Sequence, residues 1–151
     1  MVQVVGPRKS GKTTLLKELI RELKSLGLKP KVVKHTKHKL EETDAGDTKR
    51  FTVAGADEVY LICKDGLRAQ VKGEVSPEEF IESLEGLILF EGGKEIKRRD
   101  WFAVVTWRNE VERRTYWKPL TVAEMGPGES AKLVAWRIAR LVSANFRARL
   151  S

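Results

Sequence analysis

Apolar residues near the start of the chain form two kinds of pattern. The short stretch Val2–Val5, apolar except for Gln3, predicts a strand. After a glycine-rich turn, apolar residues recur every three or four positions, which predicts an amphipathic helix. A second apolar run within residues 29–35 predicts another strand, and this order of elements predicts a parallel pair. The apolar positions of the helix are Leu15, Leu16, Leu19, Ile20, Leu23 and Leu26.

The middle of the chain carries signals for a loop, a hairpin and two helices. The polar residues 36–48 predict a loop, and residues 48–54 predict a short helix. Alternating residues around Asp65-Gly66 predict a β-hairpin over residues 58–71. A capping pattern then predicts a helix over residues 76–84. Its predicted buried side consists of Phe80, Ile81 and Leu84.

The last third of the chain predicts three strands and a closing helix. Apolar runs at 86–90 and 101–106 predict two strands, the first of them covered on both faces, and residues 116–125 predict a last strand. Residues 130–144 predict the helix, with Leu133, Val134, Ile138, Leu141 and Val142 inward. The predicted fold is α/β, a mostly parallel sheet flanked by helices with a β-hairpin insertion, in a single domain over residues 1–151.

The turn after the first strand matches the phosphate-loop pattern G-x-x-x-x-G-K-[ST], which makes the predicted fold P-loop NTPase-type. Gly6 and Gly11 permit backbone conformations in which amide groups turn towards an anion. Lys12 reaches the β- and γ-phosphates of a nucleotide, and the Thr13 hydroxyl ligates Mg²⁺. The alternative is a plain glycine-rich turn, which the flanking strand and helix disfavour. The predicted nucleotide-binding residues here are Gly6, Pro7, Arg8, Lys9, Ser10, Gly11, Lys12, Thr13 and Thr14.

Two carboxylates are predicted close to the same phosphates. Glu91 directly follows a predicted strand, so it lies at the rim where open α/β sheets bind ligands, and Asp47 belongs to a loop that leaves from that rim. Both are predicted to hold Mg²⁺ with Thr13, and one of them is predicted to orient the attacking water. His35 and Gly92, at the same rim, are predicted nucleotide contacts. The open alternatives are that Glu91 merely ends its strand and that Asp47 is a solvated loop residue.

Composition narrows the class of protein. The chain has 151 residues, a net charge of +8 and a pI of about 9.7. Such a charge favours a polyanionic ligand, nucleic acid or an acidic partner, while the high share of charged residues is equally typical of heat-adapted proteins. A single cysteine, Cys63, excludes an internal disulfide. No apolar run approaches the roughly 18–20 residues of a membrane span, so we expect a cytoplasmic protein without a membrane partner.

Aromatic residues and arginines are interleaved between residues 98 and 117. Such side chains stack on bases in nucleic-acid-binding proteins, and they equally build cores and subunit interfaces. We favour the second interpretation because three of the aromatic residues lie in or beside predicted strands. The aromatic residues are Trp101, Trp107, Tyr116 and Trp117, and the arginines are Arg98, Arg99, Arg108, Arg113 and Arg114.

Four blocks of the sequence resemble, in order and spacing, the family of molybdopterin-guanine dinucleotide biosynthesis protein B (MobB). They are the phosphate-loop block at 4–35, "KHTKH" at 34–38, "DTKRFTVAGA" at 47–56 and "LILFEGGK" at 87–94. The last three blocks are much more specific than the phosphate loop, which very many proteins share. The resemblance places Asp47, Thr48, Arg50, Glu91, Gly92 and Lys94 on family positions.

The resemblance implies a GTP-binding adaptor protein with weak Mg²⁺-dependent hydrolysis. It also implies a homodimer that assists a molybdopterin guanylyltransferase, that is, a MobA-like enzyme, or a molybdopterin-carrying enzyme. The preference for guanine over adenine comes from the resemblance alone. The residues by themselves leave two other functions open, a P-loop small-molecule kinase and a basic nucleic-acid-binding protein.

Overall fold

The computed structural model of the chain describes residues 1–35, 51, 53–71 and 73–150. The chain divides into two compact units, one formed by Met1–His35 with Pro77–Ser151 and the other by Thr36–Ser76. The single domain over residues 1–151 stays a prediction. Within the described residues, no helix is long and apolar enough to cross a membrane.

Seven strands and four helices are described. In chain order they are β1 (Val2–Val5), α1 (Lys12–Ser25), β2 (Lys31–Lys34), β3 (Glu58–Cys63), β4 (Gly66–Val71), α2 (Pro77–Glu82), β5 (Ile88–Glu91), β6 (Phe102–Thr106), α3 (Glu110–Tyr116), β7 (Thr121–Met125) and α4 (Ala131–Leu150). The predicted loop at 36–48 and most of the predicted helix at 48–54 lie outside the described residues. Phe51 and Val53, which belong to that segment, are helical.

The larger unit is built on a parallel five-stranded sheet with the order β2-β5-β1-β6-β7. All four residues of β1 are buried in the middle of this sheet. Because every pair is parallel, the carboxyl ends of all five strands lie along one edge. The predicted α/β fold with a mostly parallel sheet is confirmed.

Apolar side chains cover the sheet on both faces. On the first face, Val2 and Val4 of β1 belong to a core shared with α1 and α4. On the second face, Ile81 of α2 joins Phe90 and Trp101, whose rings meet edge to face at 6.1 Å. The helices α1 and α4 therefore shield one side of β1 while α2 and the β5–β6 connection contribute to the other.

The smaller unit contains the predicted β-hairpin. Strands β3 and β4 pair antiparallel in a register that joins Glu58 to Val71 and Cys63 to Gly66. Every residue of the two strands is exposed except Val59, which is half-buried. The hairpin insertion is confirmed, but its two-residue turn is Lys64-Asp65 rather than the predicted Asp65-Gly66, because Gly66 pairs with Cys63 as the first residue of β4.

The closing helix differs from its prediction in length and in the side it buries. It extends to Leu150, and Leu133 and Leu141 are 49% and 39% exposed rather than inward. Each of these leucines lies one residue before a member of the buried stripe. One residue corresponds to a rotation of about 100° around the helix axis, so these two side chains point away from α1. The stripe consists of Val134, Ala135, Ile138, Ala139 and Val142.

Two shorter helices also depart from expectation. Phe80, predicted to be buried, is 46% exposed, because α2 has only six residues and Ile81 alone reaches the core. Helix α3 was not predicted, since no residue of it is buried and apolar periodicity is absent. It begins where the side chain of Asn109 accepts a hydrogen bond from the Glu112 backbone N–H at 3.0 Å.

We expect Leu19→Ala to lower the free energy of unfolding by about 2–5 kcal/mol, because this side chain is fully buried against α4. The matched change Leu133→Ala on the exposed side of α4 should cost less than about 1 kcal/mol. Urea denaturation followed by circular dichroism measures both. Equal losses would contradict the observed orientation of α4.

Candidate nucleotide-binding site

The phosphate-loop residues leave the end of β1 in the middle of the sheet and enter α1. Lys12 is the first residue of that helix, and the Leu15 N–H donates to the Gly11 carbonyl at 2.9 Å. Lys9 and Gly11 have positive φ angles of 62° and 88°. Left-handed residues of this kind curl successive amide groups around a concave surface that suits an anion. The amino end of α1 faces this concavity.

Close approach of neighbouring strands explains the two glycines of the motif. A Cβ on Gly6 would lie 2.1 Å from Thr106 Oγ1 and 2.3 Å from the Thr106 carbonyl oxygen. A Cβ on Gly11 would lie 2.7 Å from the terminal methyl of Met125. Since Thr106 ends β6 and Met125 ends β7, the loop is seated directly on the ends of two strands. A side chain at position 6 would clash with the backbone of β6, whereas at position 11 the flexible end of Met125 can move aside and the positive φ of 88° favours glycine.

Two hydroxyl groups hold the loop in this position. Ser10 Oγ donates to the Pro7 carbonyl at 2.8 Å and lies 2.5 Å from Thr106 Oγ1. Thr106 Oγ1 also lies 3.3 Å from the Val5 carbonyl oxygen, but since each hydroxyl has one proton and Ser10 donates to Pro7, the shorter distance makes Thr106 the donor to Ser10 Oγ. Both hydroxyls are buried, so the Ser10 side chain is engaged by the protein and only its backbone N–H is left for a ligand. Sequence reasoning missed Thr106, whose only local signal is a polar residue at the end of an apolar run.

The Lys12 ammonium lies over the loop. Its Nζ donates to the Gly6 and Pro7 carbonyls at 2.9 and 2.6 Å, which leaves one of its three N–H groups for a phosphate oxygen. Burial lowers the pKa of Lys12; the Glu91 carboxylate opposes this shift and the Lys34 cation adds to it. The lysine is thus within electrostatic reach of the rim residue Glu91.

The structure brings Glu91, Gly92 and His35 together beside the loop. Glu91 pairs with Val4 of β1 on one side and with Lys34 of β2 on the other. The His35 N–H donates to the Glu91 carbonyl at 2.9 Å, and the Gly92 N–H donates to the Val4 carbonyl at 3.1 Å. A Cβ on Gly92 would lie 2.8 Å from the His35 carbonyl oxygen. Glycine is therefore required where these two strand ends meet.

The remaining predicted residues are at the mouth of the loop or outside the described part. Arg8, Lys9, Thr13 and Thr14 are exposed. Asp47, predicted as a catalytic residue and metal ligand, lies outside the described residues. Where the structure is described, no three His, Cys, Asp or Glu side chains come together as a metal site. A hydroxyl from Thr13 and a carboxylate from Glu91 suit an Mg²⁺ ion whose other ligands are phosphate oxygens and waters.

Four of the five interleaved arginines contact carboxylates: Arg98, Arg108, Arg113 and Arg114. Arg98 forms a two-pronged contact with Asp100, both distances 2.9 Å, and its guanidinium lowers the pKa of that carboxyl group. Arg113 contacts Glu124 and lowers its pKa in the same way. Of the four aromatic residues, Trp101 is buried in the core, whereas Trp117 is 48% exposed, so the interpretation that they build the core and a subunit interface stays a prediction for the others. Arg98 and Arg113 are thus held by carboxylates of the protein.

Comparisons with known proteins agree on one family. Residues 1–123 match the sequence model described as MobB, molybdopterin guanine dinucleotide synthesis protein B. The chain is 31% identical over 102 residues to the molybdopterin-guanine dinucleotide biosynthesis adapter protein of Haemophilus influenzae, covering 63% of this chain and 57% of that relative. The chain therefore spans little more than half the length of the curated relative it matches.

Two solved structures resemble the fold. Bacillus subtilis MobB superposes with a TM-score of 0.70 at 26% identity, over 85% of this chain and 80% of its own. A crystal structure of molybdopterin-guanine biosynthesis protein B superposes with a TM-score of 0.71 at 21% identity, over 97% and 98% of the two chains. The second likeness concerns the fold alone.

We expect Gly6→Ala to lower the free energy of unfolding by roughly 3 kcal/mol or more, because the new methyl group meets Thr106 backbone and side chain. Gly128→Ala is the matched control: Gly128 also has a positive φ, 80°, but a Cβ there meets nothing within 4 Å. It should cost about 1–2 kcal/mol. Urea denaturation compares the two, and equal costs would contradict the described packing of the loop on β6.

Proposed function

Because the chain belongs to the MobB family, we propose that it is an adaptor of molybdenum cofactor biosynthesis that binds Mg²⁺ and GTP. The observation that carries this proposal is the Lys12 ammonium, held over a loop of left-handed residues at the amino end of α1. This arrangement concentrates positive charge and free N–H groups at one point. Such a site suits the phosphates of a nucleotide.

The loop residues have separate parts in this proposal. Backbone N–H groups from Arg8 to Thr13 hold the phosphates, and Lys12 binds between the β- and γ-phosphates. His35 meets the terminal phosphate, and Gly92, which has no side chain, lets the backbone pass close to it, since both residues lie at the adjoining strand ends. Ser10 acts through its backbone, because its hydroxyl is held by Pro7 and Thr106.

Thr13, Asp47 and Glu91 hold Mg²⁺ in the proposed site, Thr13 directly and the two carboxylates through waters. The ion, when bound, neutralises charge that develops on the phosphoryl oxygens. Hydrolysis is proposed to be weak, because enzymes of this class depend on a free arginine that stabilises the transferred phosphoryl group. Arg98 and Arg113 are paired with carboxylates, and Arg8, exposed at the mouth of the loop, is assigned here to phosphate binding through its backbone.

The proposed partner is a molybdopterin guanylyltransferase or a molybdopterin-carrying enzyme in the cytoplasm. Its support is the name of the Haemophilus influenzae relative, an adapter protein of molybdopterin-guanine dinucleotide biosynthesis. The small-molecule kinase remains an alternative, and release of ADP that depends strictly on an added acceptor would favour it.

We also propose a homodimer whose contact includes the hairpin. The register of β3 and β4 places four large apolar residues on one face, and they are 56%, 82%, 64% and 42% exposed. A two-stranded hairpin is only marginally stable alone, and exposed apolar patches mark interfaces. A second copy of the chain that presents the same face supplies a two-fold contact. The four residues are Tyr60, Ile62, Leu67 and Val71.

We expect Ile62→Asp to shift the protein from dimer to monomer, because it places a charge in the centre of this apolar face. Gln70→Asp introduces the same charge on the opposite face of the hairpin and should leave the dimer intact. Size-exclusion chromatography with light scattering measures the mass of each variant. A wild-type monomer, or a dimer that both changes leave intact, would contradict the proposed contact.

We expect Lys12→Ala to weaken Mg·GTP binding by about 100-fold or more, because it removes the cation that faces the phosphates. Lys17→Ala, an exposed lysine farther along α1, should bind Mg·GTP like the wild type. Isothermal titration calorimetry measures these affinities, with circular dichroism to show that both variants are folded. Retained affinity in the Lys12 variant, or a clear preference of the wild type for Mg·ATP, would argue against the proposed function.

A further inference from the structure

Two buried polar side chains have no part in the site described so far. Gln3 of β1 is 1% exposed, and Lys118, between α3 and β7, is 3% exposed. Burying an amide or an ammonium is costly unless its donors are satisfied. Both side chains are satisfied by the same short segment, residues 92–96, which follows Glu91.

Gln3 holds the beginning of this segment. Its Nε2 donates to the carbonyls of Gly92 and Gly93, each at 2.9 Å. Because Gln3 lies in β1, two residues before Val5 and the phosphate loop, these bonds tie the segment to the strand that carries the loop. The Gly92 N–H adds a bond to the Val4 carbonyl in the same strand.

Lys118 holds the other end of the segment. Its Nζ donates to the Lys94 carbonyl and, at 2.8 Å, to the Ile96 carbonyl. Its own backbone is fixed by Thr121, whose Oγ1 accepts from the Lys118 N–H at 3.1 Å and donates to the Lys118 carbonyl at 2.9 Å. Burial lowers the pKa of Lys118, and the cations of Lys97 and Lys94 act in the same direction, against Glu95.

The segment between these two clamps is a sharp reversal. Gly92 and Gly93 have positive φ angles of 110° and 66°, and the Ile96 N–H closes a turn on the Gly93 carbonyl at 3.0 Å. The carbonyls of residues 92, 93, 94 and 96 are therefore all held by Gln3 or Lys118. A turn held in this way keeps one position instead of exchanging among several.

We propose that Lys118 and Gln3 are positioning residues that fix the turn at 92–96 against the phosphate loop, so that the site recognises the terminal phosphate of the nucleotide. The inference rests on the proposed function, since it assigns the turn to the γ-phosphate of the same ligand. Lys118 approaches the turn rather than the phosphates, and it acts through Gly92 and its neighbours. An apolar residue at 118 would avoid the cost of burying an ammonium but would leave two carbonyls without donors.

The test compares two lysine-to-methionine variants. Lys118→Met keeps the length of the side chain and removes its donors, while Lys97→Met removes an exposed neighbouring charge as the matched control. Calorimetric titration with Mg·GTP and Mg·GDP should show GTP affinity about tenfold weaker in Lys118→Met and GDP affinity within about twofold of the wild type. Lys97→Met should keep both affinities within about twofold.

The difference between the losses of GTP affinity and GDP affinity distinguishes a positioning role of Lys118 from a role in the stability of the whole fold. An equal loss for GTP and GDP, or no loss, in a folded Lys118→Met protein would overturn the inference while leaving nucleotide binding by the wild type intact. A wild type that binds neither nucleotide would overturn the proposed function and this inference together. If Lys118→Met does not fold, Gln3→Met provides the same comparison, because it removes the other two bonds to the turn.

Discussion

The hydrogen bond between the Ser10 and Thr106 hydroxyls, 2.5 Å apart, joins the phosphate loop to the end of β6. Both groups are buried, so water does not compete for them. Thr106 also occupies the space next to Gly6, which explains why that position carries no side chain. The loop thus takes its shape from the two central strands of the sheet. The position of Lys12, held by the Gly6 and Pro7 carbonyls, depends on that shape.

Parallel pairing extends this arrangement to neighbouring strands. Val4, Glu91 and Lys34 lie side by side on β1, β5 and β2, so segments far apart in sequence end at one rim. His35 and Gly92 come into contact there through their backbones, at a distance that leaves no room for a side chain on Gly92. Three blocks of the family resemblance meet at this place. The blocks are far apart in the sequence because β1, β2 and β5 are, and the sheet places the ends of these three strands side by side.

Local patterns predicted the parts of the fold whose signal lies within a few residues, such as the leucine spacing of α1 and the existence of the β3–β4 hairpin, whose turn lies one position earlier than predicted. The missed features depend on distant partners. Gln3 looks like a solvent-facing residue of a strand, yet it bonds carbonyls about 90 positions away. The sequence around Lys118 gives no sign that this side chain is buried. Leu133 fits the apolar pattern of α4, and only the orientation of α4 against α1 determines that it is exposed. Such features require the packing of whole elements, which the pattern of single residues does not specify.

The central claim is that the loop at residues 6–13 is a nucleotide phosphate site, and a crystal structure with Mg²⁺ and a non-hydrolysable GTP analogue tests it most directly. The account predicts the β-phosphate within about 3 Å of Lys12 Nζ and of the loop amides, with the terminal phosphate beside Gly92. A nucleotide bound elsewhere on the protein, or a loop in which Lys12 contacts only the Gly6 and Pro7 carbonyls at saturating nucleotide, would contradict it.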